Sequence, residues 1–143
     1  NGMEDIWFAT KSKNFTFHVE DVKIRRRVLA PYRKNGKPKD WEETEHGKFR
    51  NTYPSNFWDD ISIPYWSMPE NTAHPTQKPL ALLKRILTAC TNGDSVILDP
   101  FNGSGTTGVA SSILGDRYYF GIEKDEAYCA ITKKRLEEIS TEG

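Results

Sequence analysis

The segment SVILDPFNGSGTTG, residues 95–108, decides how the rest of the chain is interpreted. It begins with an apolar, β-branched run and continues into a glycine-rich turn, which predicts a strand, a tight turn and the start of a helix. Gly103, Gly105 and Gly108 have the spacing G-x-G-x-x-G. On a strand–turn–helix unit, this spacing is typical of a loop that binds a nucleotide.

The residues before the first glycine indicate which nucleotides are excluded. In a dinucleotide-binding loop the strand runs directly into the first glycine, so that backbone amides meet the pyrophosphate. Here Asp99, Pro100 and Phe101 intervene. At an effective dielectric of about 20, two unit charges about 4 Å apart interact by roughly 4 kcal/mol, so Asp99 repels a phosphate and attracts a cation. No Gly-Lys-Ser/Thr follows, which excludes a Walker loop.

A nucleotide derivative that satisfies these conditions is S-adenosylmethionine, which carries an ammonium and a sulfonium group and no phosphate. We expect Asp99 to face the ammonium, Phe101 to pack against the ligand, and Gly103 and Gly105 to allow close backbone approach. Glu123, at the end of the next predicted strand, is placed like the acidic residue that binds ribose hydroxyls. Two alternatives stay open: Asp99 as an ordinary helix cap with Glu123 on the surface, and an NAD-dependent domain, which Asp99 disfavours.

The surrounding pattern predicts regular structure from His74 onward. The predicted elements are a helix from Pro79 that ends before Asn92, a strand over 95–98, a helix over 106–114, a strand over 118–122 and a last helix capped by Asp125. This order predicts a right-handed βαβ unit of a parallel sheet, and therefore an α/β fold.

The first half of the chain is less regular. The runs IWFAT (6–10) and FTFHV (15–19) predict a hairpin or two neighbouring strands, whereas residues 30–73 predict an irregular but ordered, aromatic-rich segment. Eight basic residues and no acidic one lie between Lys23 and Lys39. The chain has a net charge of zero, yet this run predicts a local anion-binding surface.

Three motifs in a fixed order carry a family resemblance. They are HPTQKP (74–79), DPFNGSGTTG (99–108) and FGIEKDEAYCAITKKRLE (120–137). Together they resemble the amino-group DNA methyltransferases of the permuted, beta type, closely over residues 56–139 and more loosely over IWFATKSKNFTF (6–17). The resemblance implies a partial Rossmann-like, S-adenosylmethionine-dependent methyltransferase fold with a loop-rich DNA-recognition segment.

The resemblance also implies site residues. It brings the HPTQKP motif beside the methionine end of the cofactor, with Thr76 and Lys78 near the carboxylate. The implied cofactor-binding residues are Thr76, Lys78, Asp99, Pro100, Phe101, Gly103, Gly105, Thr106 and Glu123. The implied contacts to duplex DNA come from Arg25, Arg26, Arg27, Arg33, Lys34, Lys37 and Lys39.

These inferences divide the chain into three parts: 1–22 as strands of the methyltransferase sheet, 23–73 as the target-recognition segment and 74–143 as the cofactor-binding region. The implied reaction transfers a methyl group from S-adenosylmethionine to adenine N6. Cytosine N4 is an alternative acceptor, and a non-catalytic DNA-binding module that keeps the cofactor fold is an alternative function.

Enzymes of this kind carry a catalytic Asp/Asn/Ser-Pro-Pro-aromatic motif, and the sequence contains none. The nearest string is SIPY (62–65), which we interpret as a structural lead-in to HPTQKP, so no catalytic residue is assigned. We expect this chain to be a C-terminal part that is inactive alone. A missing N-terminal part, a second chain or a homodimer would cover its sheet edges.

Other function classes have little support in the sequence. No run predicts a membrane span or a signal peptide, which favours a cytoplasmic protein. Cys90 and Cys129 are far apart and predicted to be buried thiols. The three histidines lack metal-ligand spacing, so no metal is expected.

Overall fold

The computed structural model describes residues 3–142; residues 1, 2 and 143, which the predicted divisions include, lie outside them. The first half contains a short 3-10 helix, Val19–Val22, and the strands β1 (Ile24–Arg27), β2 (Arg33–Lys34), β3 (Lys37–Pro38), β4 (Glu42–Thr44) and β5 (Gly47–Thr52). The second half contains α1 (Leu80–Cys90), β6 (Val96–Asp99), α2 (Thr106–Leu114), β7 (Tyr118–Gly121) and α3 (Glu126–Glu142).

The second half is an α/β unit, as predicted. Strands β6 and β7 pair in parallel, from Val96 opposite Tyr118 to Asp99 opposite Gly121, and α2 connects them. Helix α2 packs against both α1 and α3. Leu87, Ile97 and Ala110 form the buried core, because one side chain from each of α1, β6 and α2 meets there.

Local capping explains where these helices begin and end. Pro79 precedes α1, and the Glu70 carboxylate accepts the Leu80 N–H at 2.8 Å. Gly115, at φ 69°, ends α2. Asp125 caps α3 because its Oδ1 accepts the Ala127 N–H at 2.9 Å. The predicted ends of α2 and the Asp125 cap are confirmed.

The opposite face of the parallel pair carries exposed apolar side chains. Ile97 and Tyr119 point toward the helices, so their neighbours along each strand point the other way. These neighbours are Val96, Leu98, Tyr118 and Phe120, all exposed by 59% or more. In the described residues, this sheet face therefore lacks the cover that its composition requires.

The region from β1 to β5 has more regular secondary structure than the sequence predicted. Strands β1, β5 and β4 form an antiparallel sheet in that order, and β2 and β3 form a separate hairpin. The prediction of irregular structure is therefore wrong over residues 33–52. The strands were missed because charged and polar residues dominate them, so they lack the apolar alternation that predicts a half-buried strand.

The prediction of a hairpin or strands near the N-terminus is wrong for residues 3–18, none of which is in a strand. The aromatic rings of the two runs pack on each other instead: Phe8 contacts Phe15 and Phe17 edge-on, at centroid distances of 5.5 and 5.6 Å. β-propensity alone does not form a strand, because the backbone also needs a hydrogen-bonding neighbour.

The prediction of two buried thiols is also wrong. Cys90 is only half-buried and Cys129 is exposed. Cys129 follows Tyr128 on α3, and Tyr128 lies on the half-buried face together with Ile131 and Leu136. A step of one residue turns a helix by about 100°, so Cys129 leaves that face. Within residues 3–142, no helix has the length and hydropathy needed to cross a membrane.

Candidate functional site

A cavity of about 300 Å³ lies between the HPTQKP motif and the glycine-rich loop. Its lining residues are His74, Thr76, Gln77, Lys78, Leu83, Asp99, Phe101, Asn102, Gly103, Ser104, Thr106 and Thr107. The volume is at the lower end of the range for small-molecule sites, about 300–1,000 Å³. Two motifs that are separate in sequence therefore form one concave site.

The structure brings together six of the nine predicted cofactor-binding residues. Those that line the cavity are Thr76, Lys78, Asp99, Phe101, Gly103 and Thr106. Pro100, Gly105 and Glu123 are not among the lining residues, and neither is any residue of the SIPY string. The binding roles of all nine stay predictions.

Asp99 ends β6 and is held in place by its own turn. Its Oδ1 accepts the Phe101 N–H at 3.0 Å, and its Oδ2 accepts the Thr107 hydroxyl at 2.6 Å. The alternative interpretation of Asp99 as an ordinary helix cap is wrong, because the N-cap of α2 is Gly105 and no side chain caps this helix. Asp99 instead binds the turn between β6 and α2, and its side chain also lines the cavity. Because a carboxylate can accept about four hydrogen bonds, capacity for a cationic ligand group remains.

Lys78 supplies the opposite charge on the cavity wall. Its Nζ lies 2.6 Å from Glu4 Oε1, in a pair whose side chains are 47% and 62% exposed. Exposed pairs of this kind contribute only about 0–1 kcal/mol, so a ligand carboxylate can compete for Lys78. The site thus presents one carboxylate and one ammonium, which suits a zwitterionic ligand.

The two loop glycines prevent clashes within the protein. Both have positive φ, 52° at Gly103 and 77° at Gly105. A Cβ at Gly103 would lie 2.8 Å from His74 Nε2, and one at Gly105 would lie 2.5 Å from Thr132 Cγ2. The structural reason for Gly105 is therefore the close approach of α3, whereas the sequence suggested close approach of a ligand.

Three residues to which the sequence assigned no role support the loop from behind: Tyr119, Thr132 and Arg135. The Tyr119 hydroxyl donates to Oδ1 of Asn102 in the loop, and Asn102 Nδ2 donates to Thr132 Oγ1 at 2.8 Å. Arg135 donates to Ser104 O at 2.7 Å. Burial, with a smaller effect of the Asp99 charge, raises the pKa of Tyr119 to about 12. The one signal in the sequence is the helical spacing of Arg135, which comes one turn after Ile131 and places it on the half-buried side of α3.

Glu123 binds backbone amides at the junction between the loop and α3. Its Oε2 accepts the Gly103 N–H at 2.8 Å, and its Oε1 accepts the N–H groups of Lys124 and Asp125 at 2.8 and 2.9 Å. The Asp125 and Gly103 amides are the main causes that hold the pKa of Glu123 below its usual range. The predicted ribose contact stays a prediction.

The basic run is interleaved with acidic side chains from β4 and the following segment. Three of the seven predicted DNA-binding side chains form ion pairs: Arg25 with Glu42 at 2.5 Å, Arg26 with Asp59 at 3.7 Å and Arg33 with Glu43 at 3.6 Å. Among the described residues, the other four predicted DNA-binding side chains, Arg27, Lys34, Lys37 and Lys39, form no ion pair. Their contact with DNA stays a prediction.

Comparison with known proteins gives relatives along nearly the whole chain. DNA adenine methyltransferase YhdJ of Escherichia coli (strain K12) is 40% identical over 134 residues, which are 90% of this chain and 42% of that protein. Type II methyltransferase M.ScaI of Streptomyces caespitosus is 36% identical over 135 residues, 92% of this chain and 42% of the relative. The chain thus spans about two fifths of the length of these relatives.

A solved structure and a family profile also match this chain. The crystal structure of the M1.HpyAVI–SAM complex is 47% identical, covers 52% of this chain and 36% of that chain, and has a TM-score of 0.48. The profile of the N6_N4_Mtase family, described as DNA methylase, matches residues 1–134. Because that match includes most of the chain, this protein belongs to the N6_N4_Mtase family of DNA methylases.

Proposed function

We propose that this chain is the cofactor-binding part of an S-adenosylmethionine-dependent DNA methyltransferase. The observation that carries the proposal is the convergence of HPTQKP and DPFNGSGTTG on one cavity with Lys78 and Asp99 on its wall. Bound there, the cofactor supplies the methyl group that is transferred.

The residues present fit the methionine end and the adenosine end of this cofactor. Asp99 would bind the ammonium group and Lys78 the carboxylate. The Phe101 ring lines the cavity and is 90% exposed, so an adenine ring can pack against it. A pyrophosphate in this cavity would meet the negative charge of Asp99, which disfavours a dinucleotide.

Calorimetric titration with S-adenosylhomocysteine tests the cofactor assignment. Asp99→Ala and Lys78→Ala should each weaken binding by about 1–3 kcal/mol, because each removes a charged partner of the ligand. Lys133→Ala, on the exposed face of α3, is the matched control and should bind like the wild type. Unchanged affinity in both site variants, or comparable binding of NAD, would contradict the assignment.

The proposed methyl acceptor is the N6 amine of adenine in duplex DNA. It is supported by the 40% identity to a protein named as a DNA adenine methyltransferase. Cytosine N4 is the alternative acceptor. Analysis of the methylated nucleoside, formed by the chain together with a complementing catalytic part, distinguishes the two bases.

We also propose that this chain alone transfers no methyl group. Positioning of reactants contributes roughly 7–11 kcal/mol to such reactions, and no Pro-Pro-aromatic motif is present to hold the extruded base. The exposed sheet face of Val96, Leu98, Tyr118 and Phe120 supports docking of a second polypeptide part that carries the motif. The alternative is a homodimer, in which a second copy of this chain covers the sheet face.

A complementation assay tests this second proposal. Residues 1–143 with S-adenosylmethionine and duplex DNA should give no product, and addition of a methyltransferase part that carries a Pro-Pro-aromatic motif should restore transfer. Transfer by the chain alone would contradict the proposal and make Tyr65→Ala, in the SIPY string, the next variant to measure.

We also propose the division of the chain at residues 22 and 73, with residues 1–22 no longer assigned as strands because none of residues 3–18 is in a strand. The separate antiparallel sheet of β1, β5 and β4 supports a distinct recognition segment, and its basic side chains supply the proposed phosphate contacts.

A further inference from the structure

The loop of residues 102–106 is a thin layer between the cavity and helix α3. Asn102, Gly103, Ser104 and Thr106 line the cavity on one side. On the other side, Gly105 lies so close to Thr132 that a Cβ would meet three atoms of that side chain at 2.5–2.9 Å. Any shift of α3 is therefore transmitted to the cavity wall through a single layer of backbone.

Arg135 binds this layer at two positions. Its Nη1 donates to Ser104 O at 2.7 Å and to Thr106 Oγ1 at 3.1 Å, with Ser104 Oγ at 3.2 Å. Thr132, one turn earlier on α3, donates to Gly103 O at 3.2 Å. From one face of α3, Thr132 thus binds Gly103, and Arg135 binds Ser104 and Thr106.

Arg135 places a charged group in a half-buried position and uses it to bind neutral oxygens of the loop. The guanidinium is half-buried, and its burial lowers its pKa, with the carboxylates of Glu70 and Glu138 acting in the opposite direction. Within the described residues it forms no ion pair and donates to neutral loop oxygens. A buried cation costs desolvation that an apolar side chain of similar size avoids, so packing alone does not explain an arginine here.

We propose that Arg135 is a positioning residue that holds Ser104 and Thr106 in the conformation that receives the cofactor. This inference rests on the proposed function. A loop that is ordered before the ligand arrives binds more tightly, since the apparent affinity falls with the fraction of molecules in the competent conformation. Arg135 is not among the residues that line the cavity, so it acts through the loop.

The test measures affinity and loop order in the same variants. S-adenosylhomocysteine is titrated into the wild type, Arg135→Met, Arg135→Lys and the control Lys134→Met, whose side chain is 78% exposed on the same helix. Arg135→Met should weaken binding about tenfold or more, Arg135→Lys should restore part of the affinity, and Lys134→Met should have no effect.

Hydrogen exchange without ligand provides the readout that a general loss of stability does not reproduce. In Arg135→Met, the amides of residues 103–107 should exchange faster, while the amides of α1 and β6 keep their protection. Equal loop exchange and equal affinity in Arg135→Met and the wild type would overturn the inference. If Arg135→Met fails to fold, wild-type affinity and wild-type loop exchange in folded Arg135→Lys would overturn it.

The experiment also separates the two proposals. If the wild type binds no S-adenosylhomocysteine, the proposed function fails, and the inference about Arg135 fails with it as a statement about this cofactor. If the wild type binds and Arg135→Met binds equally well, only the inference fails.

Discussion

The α/β unit after His74 and the antiparallel region from β1 to β5 are stabilised in different ways. In the α/β unit, Leu87, Ile97 and Ala110 form an apolar core between helices and strands. In the antiparallel region, Trp41 is the one buried apolar residue of β1–β5 and their connections, and the guanidinium of Arg33 and the ammonium of Lys48 lie over its ring at 5.2 and 5.5 Å. The α/β unit therefore depends on the packing of apolar side chains, and the antiparallel region depends on ion pairs and cation–π contacts.

This difference has consequences for stability and for binding. Loss of packing in a buried core costs several kcal/mol, whereas exposed ion pairs contribute about 0–1 kcal/mol and weaken with salt. The α/β unit is therefore suited to hold a cavity of fixed shape. The antiparallel region can lose its ion pairs with little effect on stability, which is compatible with the proposed contacts to phosphates.

Alanine substitutions at two glycines of similar φ give the largest contrast. Gly105→Ala should destabilise the protein by about 2–4 kcal/mol, because strain at φ 77° adds to a clash with Thr132. Gly36→Ala, in the β2–β3 hairpin at φ 75° with no atom within 4 Å, should lose only about 1–2 kcal/mol. Denaturant unfolding followed by circular dichroism measures both.

Gly115→Ala is a second reference within the α/β unit. A Cβ there would meet nothing within 4 Å, and the backbone at φ 69° and ψ 172° lies in a region that only glycine readily adopts, so the expected cost of this substitution is backbone strain alone. If Gly105→Ala were no worse than Gly36→Ala, close packing of the loop on α3 would not be a source of stability.

The second contrast lies within the basic run and rests on the proposed DNA binding. Replacement of Lys34, Lys37 and Lys39 by Gln should lower the slope of log K against log salt by about 0.9 for each phosphate that the protein no longer neutralises. Replacement of Arg25, Arg26 and Arg33 should lower it less, because acidic partners already neutralise these side chains. Binding to one duplex over a salt series measures the slopes, and an unchanged slope in both variants would contradict phosphate binding by this run.

A third contrast compares two neighbouring aspartates. Asp60 binds Arg85 of α1 through both carboxylate oxygens, at 3.1 and 2.5 Å, whereas Asp59 is 63% exposed and lies 3.7 Å from Arg26. Asp60→Asn should cost about 1 kcal/mol of stability, discounted for exposure, and Asp59→Asn less than half as much. Equal effects of the two substitutions would show that the bidentate geometry adds nothing.

The effect of Asp60 should also depend on pH. The hydrogen bonds from Arg85 hold the pKa of Asp60 below its usual range, so the folded protein binds this proton less readily than the unfolded chain. The contribution is then present above the unfolded pKa, about 4, and is lost as the pH falls through the lower folded value. The difference in the free energy of unfolding between the wild type and Asp60→Asn should therefore disappear as the pH is lowered below about 4.

The smallest expected effect concerns the Glu4–Lys78 pair at the edge of the cavity. Glu4→Gln should tighten S-adenosylhomocysteine binding by less than about 1 kcal/mol, because it removes a carboxylate that competes with the ligand for Lys78. Asp5→Asn, the adjacent acidic residue, is the control for net charge and should leave the affinity unchanged. Weaker binding by Glu4→Gln would show that Glu4 supports the site.

Sequence patterns predicted the bounds of helices correctly where the local rules of helix capping agree with the packing. The bounds of α2 follow from the glycine turn before Thr106 and from Gly115 after Leu114, and the start of α3 follows from the Asp125 cap. These patterns did not predict β1, β4 and β5, because charged and polar side chains in these strands leave no alternation of apolar and polar residues. They also failed for residues 6–19, because the β-rich runs have no neighbouring strand in the described residues.

The sequence by itself determined the parallel α/β unit, its glycine loop and Asp99 at the end of β6, because capping, apolar period and turn chemistry act over a few residues. Lys78 was indicated only by the resemblance to a known family. The tertiary structure decided what the loop contacts. It placed Thr132 against Gly105, directed Arg135 to Ser104 and Thr106, and used Glu123 on the Gly103 amide. These contacts join residues about 20 to 30 positions apart, and only the packing of α3 onto the loop brings such residues together.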